Sequence, residues 1–494
     1  MGREEQIIEE RIKKIEELKK EGINPYPQDF FKKNLISEIV KLKLKAKIKT
    51  AGRIITKREF GKIAFSKLRD GTGETQIVFQ EGKTPKESFD LFKKYIDSGD
   101  FVGVEGEVIK TKTGEKSILV KNLILLSKSI LPLPSKFQGL ADKEERYRKR
   151  YLDLVMNPEV KSVFEKRSQI IDLVRNFLKS KKFFEVETPA LQSVYGGASA
   201  KPFITKLNAL DINLFMSISP ELYLKKLIVG GYERVFTICK NFRNEGIDAF
   251  HNPEFTMLEY YASYENYKFH MDFTEELFKK LKKELNLGEK LEYQGKDISL
   301  KLPFKRIKFR DLVLEKTKID INKENTFEKL VKAIKGKSLK GVDINGKKHY
   351  GALLDELYKR VVRPSIINPT FLTHYPVEMI ALAKRNKKDP TKINSVQLII
   401  NGEEIVKAYD ELNDPIDQEN RLKEQAKLLR EGDDEAMPMD EDFINALKVG
   451  MPPTAGYGLG IDRLIVILTN QPSIRDVILF PFMRPEGVKG DKKK

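Results

Sequence analysis

Asn241-Phe242-Arg243-Asn244-Glu245, followed six residues past the glutamate by His251-Asn252-Pro253-Glu254-Phe255-Thr256-Met257-Leu258-Glu259, sets an arginine before a loop. A strand-like run carrying a phenylalanine and a glutamate comes after it. Arginine presents a planar fork to phosphate or carboxylate oxygens and an aromatic face suits a purine, so the pattern fits a nucleotide site. Near the other end, Gly456-Tyr457-Gly458-Leu459-Gly460-Ile461-Asp462-Arg463 supplies glycines that let backbone approach a ligand closely. A second arginine then opens an apolar, helix-like run. Each stretch alone is a weak signal; the two together are specific.

These residues need a scaffold, and the composition allows one. A chain of 494 residues with 40% hydrophobic content can bury one large core and at least one smaller one, so two domains are expected. The formal charge of +18 attracts polyanions, of which a long nucleic acid is the commonest. Cys239 is the single cysteine; no disulfide within the chain is possible, and a buried, inert thiol is expected. His251, His270, His349 and His374 are too widely spaced to suggest zinc, and none is assigned. No run approaches the ~18–20 apolar residues that span a bilayer, and the N-terminal stretch is charged, with Gln6 where a myristoylation signal wants Ser or Thr. A cytoplasmic protein without a membrane partner is expected.

Along the chain, residues 1–42 form an N-terminal extension whose Ile8, Ile12, Ile15 and Leu18 line one face of a helix, stopped by Gly22 and Pro25. Residues 43–130 change to short alternating runs separated by Asp70-Gly71 and Thr113-Gly114 turns, the pattern of a small antiparallel barrel and a frequent fold for binding single-stranded nucleic acid. Pro132-Leu133-Pro134 begins a linker at 131–150. From Val160 to Lys181 apolar residues recur at helical spacing, and Phe183 to Thr188 reads as a strand ended by Pro189. Strand-like runs at 235–242, 255–261, 395–400 and 403–409, without regular crossovers, argue for a mainly antiparallel sheet flanked by helices over 151–487. Residues from about 272 to 392 read as inserted helices and loops, and 488–494 as a basic tail.

The two arginine-bearing stretches resemble the second and third signature motifs of the class II aminoacyl-tRNA synthetases, and more closely the class II lysyl-tRNA synthetases, with a likeness over nearly the whole chain. The resemblance implies an α+β protein: an OB-fold anticodon-binding barrel, then a class II catalytic domain that dimerises through the helix, strand and proline of its first motif. It implies lysine, ATP and tRNA(Lys) as partners, no DNA, and Mg²⁺ as cofactor. Arg243 falls to the α-phosphate and the amino-acid carboxylate, Glu245, His251 and Asn252 to ATP, Phe255 to adenine stacking, and Arg463 to the γ-phosphate. Gln397 and Glu404 fall at the magnesium positions, and Glu404 also among the ATP ligands. Glu259, Glu411 and Tyr261 fall to the lysine ammonium, Glu221 and Gly197 to the α-amino group, and Tyr409 and Gly458 to the pocket wall. On the barrel, Arg53, Phe65 and Gln76 match the anticodon readers, although pattern alone places Phe65 inside the barrel.

A desolvated ammonium demands negative charge and acceptors in return, which is why a pocket for lysine needs such carboxylates. Three departures stand out. Lys407 replaces an asparagine that helps bind the substrate carboxylate; its ammonium pairs with that carboxylate, or its stem folds onto Glu259 and Glu411 and fills the pocket. Gln397 replaces a glutamate at the metal position, which lowers the charge of a hard-cation site. Ile380-Ala381 replaces a Ser-Pro pair. Three functions stay open at this point: a lysine-tRNA ligase, an enzyme passing activated lysine to another acceptor, and a tRNA-binding regulatory protein with impaired catalysis.

Overall fold

The computed structural model describes residues 2–39, 41–134, 140 and 142–487; the basic tail 488–494 and linker residues 135–139 and 141 lie outside them. The chain divides into two compact units, Met1–Ala141 and Asp142–Lys494.

In the first unit, β1 (Lys47–Phe60), β2 (Ile63–Arg69), β3 (Glu74–Gln80), β4 (Phe101–Lys110) and β5 (Lys116–Ser127) close a barrel in the order β1-β2-β3-β5-β4. Alternation along β2 puts Ala64, Ser66 and Leu68 inside and Ile63, Phe65 and Lys67 outside. A helix at Lys86–Tyr95, unforeseen in the alternating pattern, packs Phe89 and Phe92 on Phe79, the Phe79 and Phe92 rings 4.0 Å apart. The N-terminal helix spans Arg3–Lys20, but its buried face differs from the expected one: Arg11, Ile15 and Leu18 are buried, and Ile12 is 41% exposed. The arginine faces inward because its guanidinium satisfies three carbonyls, those of Ser98, Ser129 and Leu131, at 2.9–3.0 Å.

The second unit is built on an eight-stranded sheet. Its strands are β6 (Phe184–Glu185), β10 (Arg234–Phe242), β11 (Glu254–Ser263), β14 (Lys305–Lys308), β15 (Thr370–Thr373), β16 (Ser395–Ile400), β17 (Glu403–Asp410) and β18 (Thr454–Gly460). They are ordered β14-β15-β16-β17-β18-β11-β10-β6, antiparallel except for the β14–β15 and β10–β6 pairs. Beside it stand a three-stranded sheet of β7 (Leu191–Gln192), β8 (Ile204–Leu207) and β9 (Ile212–Met216), and a hairpin of β12 (Lys290–Tyr293) and β13 (Lys296–Ser299). The segment read as inserted helices and loops therefore contains strands, and two of them extend the main sheet. Lys305–Lys308 has one apolar residue and Thr370–Thr373 is a four-residue buried run, too short for periodicity to separate strand from helix.

Strand alternation gives the sheet two different faces. Leu258, Tyr260, Tyr457, Leu459, Val406, Ala408, Val396 and Leu398 are buried in one large core together with the helices Glu159–Ser180, Tyr267–Glu284 and Ile461–Leu468. Burying this wall, at roughly 25 cal/mol per Å² of apolar surface, is what fixes the strand register, because a slip of one residue would exchange the two faces. The opposite face carries the polar groups.

Candidate active site

One cross-strand row runs Leu372, Gln397, Lys407, Gly458, Glu259, Thr237 across six strands. The next runs Tyr409, Gly456, Tyr261. β18 thus lays glycines between the side chains of β17 and β11, leaving a trough. A Cβ at Gly456 would come 2.1 Å from Glu411 Oε1 and 2.5 Å from Tyr261 Cε1, whereas one at Gly458 would meet nothing closer than Met257 Cε at 3.3 Å. Gly197 has φ +84°, and a Cβ there would lie 2.8 Å from that of Glu221, so both its conformation and its neighbour require glycine.

Three carboxylates, Glu221, Glu259 and Glu411, are buried at the end of this trough. Glu259 accepts from Tyr261 Oη at 2.7 Å and Ser219 Oγ at 3.1 Å. Glu221 accepts from Tyr409 Oη at 2.8 Å. Between Glu221 and Glu411 lies Lys225, fully buried, its Nζ 2.5 Å from an oxygen of each. Burial, reinforced by the charge of Glu221, pushes the Glu259 carboxyl up to about 8; burial also raises Glu411, against the pull of Lys225. The cation in the acidic pocket is therefore Lys225 and not Lys407, which has no hydrogen-bond or ion-pair partner among the described residues. Lys225 and Ser219 escaped the sequence reading. Glu221 and Lys225 stand four apart on the helix Glu221–Val229, a spacing that could have signalled the pair.

The other end of the trough is basic. Arg243, just past β10, donates Nε and Nη2 to the carbonyl of Ile218 at 3.3 Å, and its guanidinium lies 5.1 Å from the Phe255 ring. Arg463 joins the two sequence motifs in space: it donates to the Glu404 carbonyl at 3.0 Å and meets His251 Nε2 at 3.0 Å, while His251 Nδ1 contacts Asp248 at 2.8 Å. Burial and the adjacent Arg463 lower the His251 pKa. Asn252 is buried and donates to the Glu254 carbonyl, and its Oδ1 has no partner. Glu245 is exposed. Burial pushes the Cys239 thiol up to about 12, which suits the inert side chain expected of it.

Glu404 reaches this face through a bulge. Leu398 pairs with Val406 but Ile399 pairs with Glu404, so Ile405 is the extra residue and Glu404 shares a face with Lys407. Gln397 Oε1 accepts from Tyr375 Oη at 2.7 Å. Among the described residues no group of three or more His, Cys, Asp or Glu side chains could hold a metal ion. Magnesium typically takes one or two protein carboxylates and completes its shell with water and phosphate, so Glu404 with Gln397 as a weaker carbonyl donor fits such an ion.

On the barrel unit, Phe65 faces outward, correcting the inward position that pattern suggests, and meets Phe60 edge to face at 6.2 Å. Phe65 pairs across strands with Arg58, and Gln76 with Lys67, which gives an outer face of aromatic, amide and basic groups. Gln76 bonds to Glu115, and Arg53 donates to the Gly99 carbonyl at 2.9 Å and stacks on Phe101 at 4.1 Å.

Gly456→Ala should weaken ligand binding in the trough about tenfold or more, since its methyl would strain the trough by ~1–3 kcal/mol; titration calorimetry with the amino acid that the wild type binds reads this. Glu259 holds its proton more tightly when folded, so its contribution makes the protein less stable as pH rises from its ordinary value of 4.5 to about 8. Thermal melts across that window should fall less steeply for Glu259→Gln, and an unchanged slope would contradict the assignment.

Residues 142–484 match the family described as tRNA synthetases class II (D, K and N), and residues 48–126 match the OB-fold nucleic acid binding domain. The chain is 46% identical to the lysine–tRNA ligase of Pelotomaculum thermopropionicum over 98% of this chain and 96% of that protein. It is 46% identical to that of Campylobacter hominis over 99% and 100%, and 45% identical to that of Thermosipho africanus over 97% and 96%. This chain belongs to the class II tRNA synthetases, in the family of the lysine–tRNA ligases.

Proposed function

We propose that this protein is a lysine–tRNA ligase, joining lysine to ATP as lysyl-adenylate and passing the lysyl group to the 3'-terminal ribose of tRNA(Lys). The observation that carries the reading is the trough with an acidic and a basic end: three buried carboxylates at one end, Arg243 and Arg463 at the other. Lysine lies along it with its side-chain ammonium at Glu259, Glu411 and Tyr261 and its α-amino group at Glu221 and Gly197. Tyr409 and Gly458 form the wall. The lysine carboxylate then points toward Arg243 and Lys407 and attacks the α-phosphorus in line, releasing pyrophosphate. Arg243 holds the α-phosphate, Phe255 stacks adenine, Glu245, His251 and Asn252 line the ATP site, and Arg463 takes the γ-phosphate. Positioning and charge neutralisation suffice for such a reaction, and no side-chain nucleophile is needed.

Glu404 and Gln397 are the positions for magnesium, which when bound neutralises phosphate charge. Arg53, Phe65 and Gln76 read the anticodon on the barrel of residues 43–130, while residues 151–487 carry catalysis; the basic outer face and exposed aromatics support this division. A homodimer is supported by exposed apolar side chains near the first motif: Phe184, Ile204 and Leu210 are 56%, 64% and 66% exposed. No helix among the described residues is long and apolar enough to cross a membrane, and the place of action proposed is the cytoplasm.

Pyrophosphate exchange should depend on lysine alone among the standard amino acids; no exchange alongside retained tRNA binding would favour an impaired regulatory protein instead. Because Gln397 lacks the carboxylate a hard cation prefers, the magnesium concentration for half-maximal exchange should be high, and Gln397→Glu should lower it several-fold. Lys407 is free to meet the substrate carboxylate, so Lys407→Asn should raise the KM for lysine; a fall would mean that Lys407 obstructs the pocket.

A further inference from the structure

Among the described residues, Lys225 is the one group that touches carboxylates assigned to both ends of the amino acid. Its Nζ lies 2.5 Å from Glu221 Oε1 and 2.5 Å from Glu411 Oε2, with no solvent exposure. The rings of Tyr261, Tyr409 and Phe443 surround the ammonium at 5.7–6.0 Å, so it cannot swing away without leaving buried charge behind. The two carboxylates differ in other support. Glu221 also accepts from Tyr409, whereas Glu411 has Lys225 as its ion-pair partner at Oε2 and both of its oxygens are buried without a hydrogen bond. Among the described residues Glu259 makes no ion pair and relies on hydroxyl donors.

Resting on the proposed lysine-activating reading, we propose that Lys225 is a positioning residue that sets the length specificity of the pocket. By tying Glu411 to Glu221 it fixes the separation between the carboxylate that receives the side-chain ammonium and the one that receives the α-amino group. It also leaves Glu411 Oε1 without a hydrogen bond and available to an incoming cation. The pocket then measures the span between the two ammonium groups of its amino acid. A diamino acid one methylene shorter, ornithine, cannot satisfy both carboxylates at once.

The test compares pyrophosphate exchange with lysine and with ornithine in the full-length wild type, Lys225→Met, Glu411→Gln and the double variant. For Lys225→Met the KM for lysine should rise about tenfold or more, with kcat and the KM for ATP little changed. The preference for lysine over ornithine, roughly 10–200-fold for one methylene, should collapse toward unity. Lys225→Arg should recover part of it. Should the single variant fail to fold, the double variant removes one of the two carboxylates that Lys225 neutralises and leaves Glu221 with the Tyr409 hydroxyl, and its lysine-to-ornithine ratio should be no worse than that of Glu411→Gln alone. An unchanged ratio in Lys225→Met, or a ratio in the double variant that multiplies the two separate losses, overturns the role of Lys225. Absence of lysine-dependent exchange in the wild type would instead overturn the function on which it rests.

Discussion

Three carboxylates buried side by side are the constraint around which the rest of the second unit is arranged. Glutamate in a low-dielectric site either finds donors and a counter-charge or takes up a proton. Here each solution is used on a different residue: Glu221 and Glu411 share the ammonium of Lys225, and Glu259 takes hydroxyls and is pushed toward the neutral form. The glycines of β18 and the left-handed Gly197 make room for this cluster. Under the proposed function, an arriving ammonium completes it by supplying the positive charge that the protein withholds from Glu259. Recognition and folding are thus two uses of the same electrostatic deficit.

Much of this was legible in the sequence because it is carried by pattern. The strand runs around Phe236, Leu258 and Leu398 are short and apolar and are buried over most of their length, and the long helix beginning at Glu159 shows its period plainly. Arg243, Phe255 and Arg463 stood in stretches whose residue types suited a nucleotide, and Arg463 does bridge the two stretches through His251. What escaped obeys other rules. Lys225 sits inside an apolar helix stripe, where a lysine reads as an interruption, and only its two partners, one of them 186 positions on, make it part of the site. Arg11 is the same case in the first unit, a charged residue facing inward because carbonyls need it there. Phe65 is a miss of alternation: pattern alone puts it inside the barrel, but it lies on the outer face of β2, edge to face with Phe60.

The two departures from the family pattern at the site, Gln397 and Lys407, are direct cross-strand partners. One removes a negative charge and the other adds a positive one at the same spot of the sheet, so they change a single local potential. With the acidic cluster two strands away on the far side of Gly458, Lys407 and Glu259 stand on opposite walls of the trough, a steeper difference of charge from wall to wall than a neutral residue at 407 would give. Under the proposed function, that difference favours one orientation of the bound amino acid, ammonium toward Glu259 and carboxylate toward Lys407.

The bulge at Ile405 divides β17 into two stretches of opposite parity. Downstream of it, Lys407 and Tyr409 face the trough on odd numbers; upstream, Glu404 faces it on an even one. Lys407 on one side of the bulge and Glu404 on the other are therefore placed on the trough face independently of each other. A ladder that took Ile405 into regular pairing would turn Glu404 toward the hydrophobic core and leave Lys407 and Tyr409 in place, whereas deleting Ile405 would keep all three on the trough face.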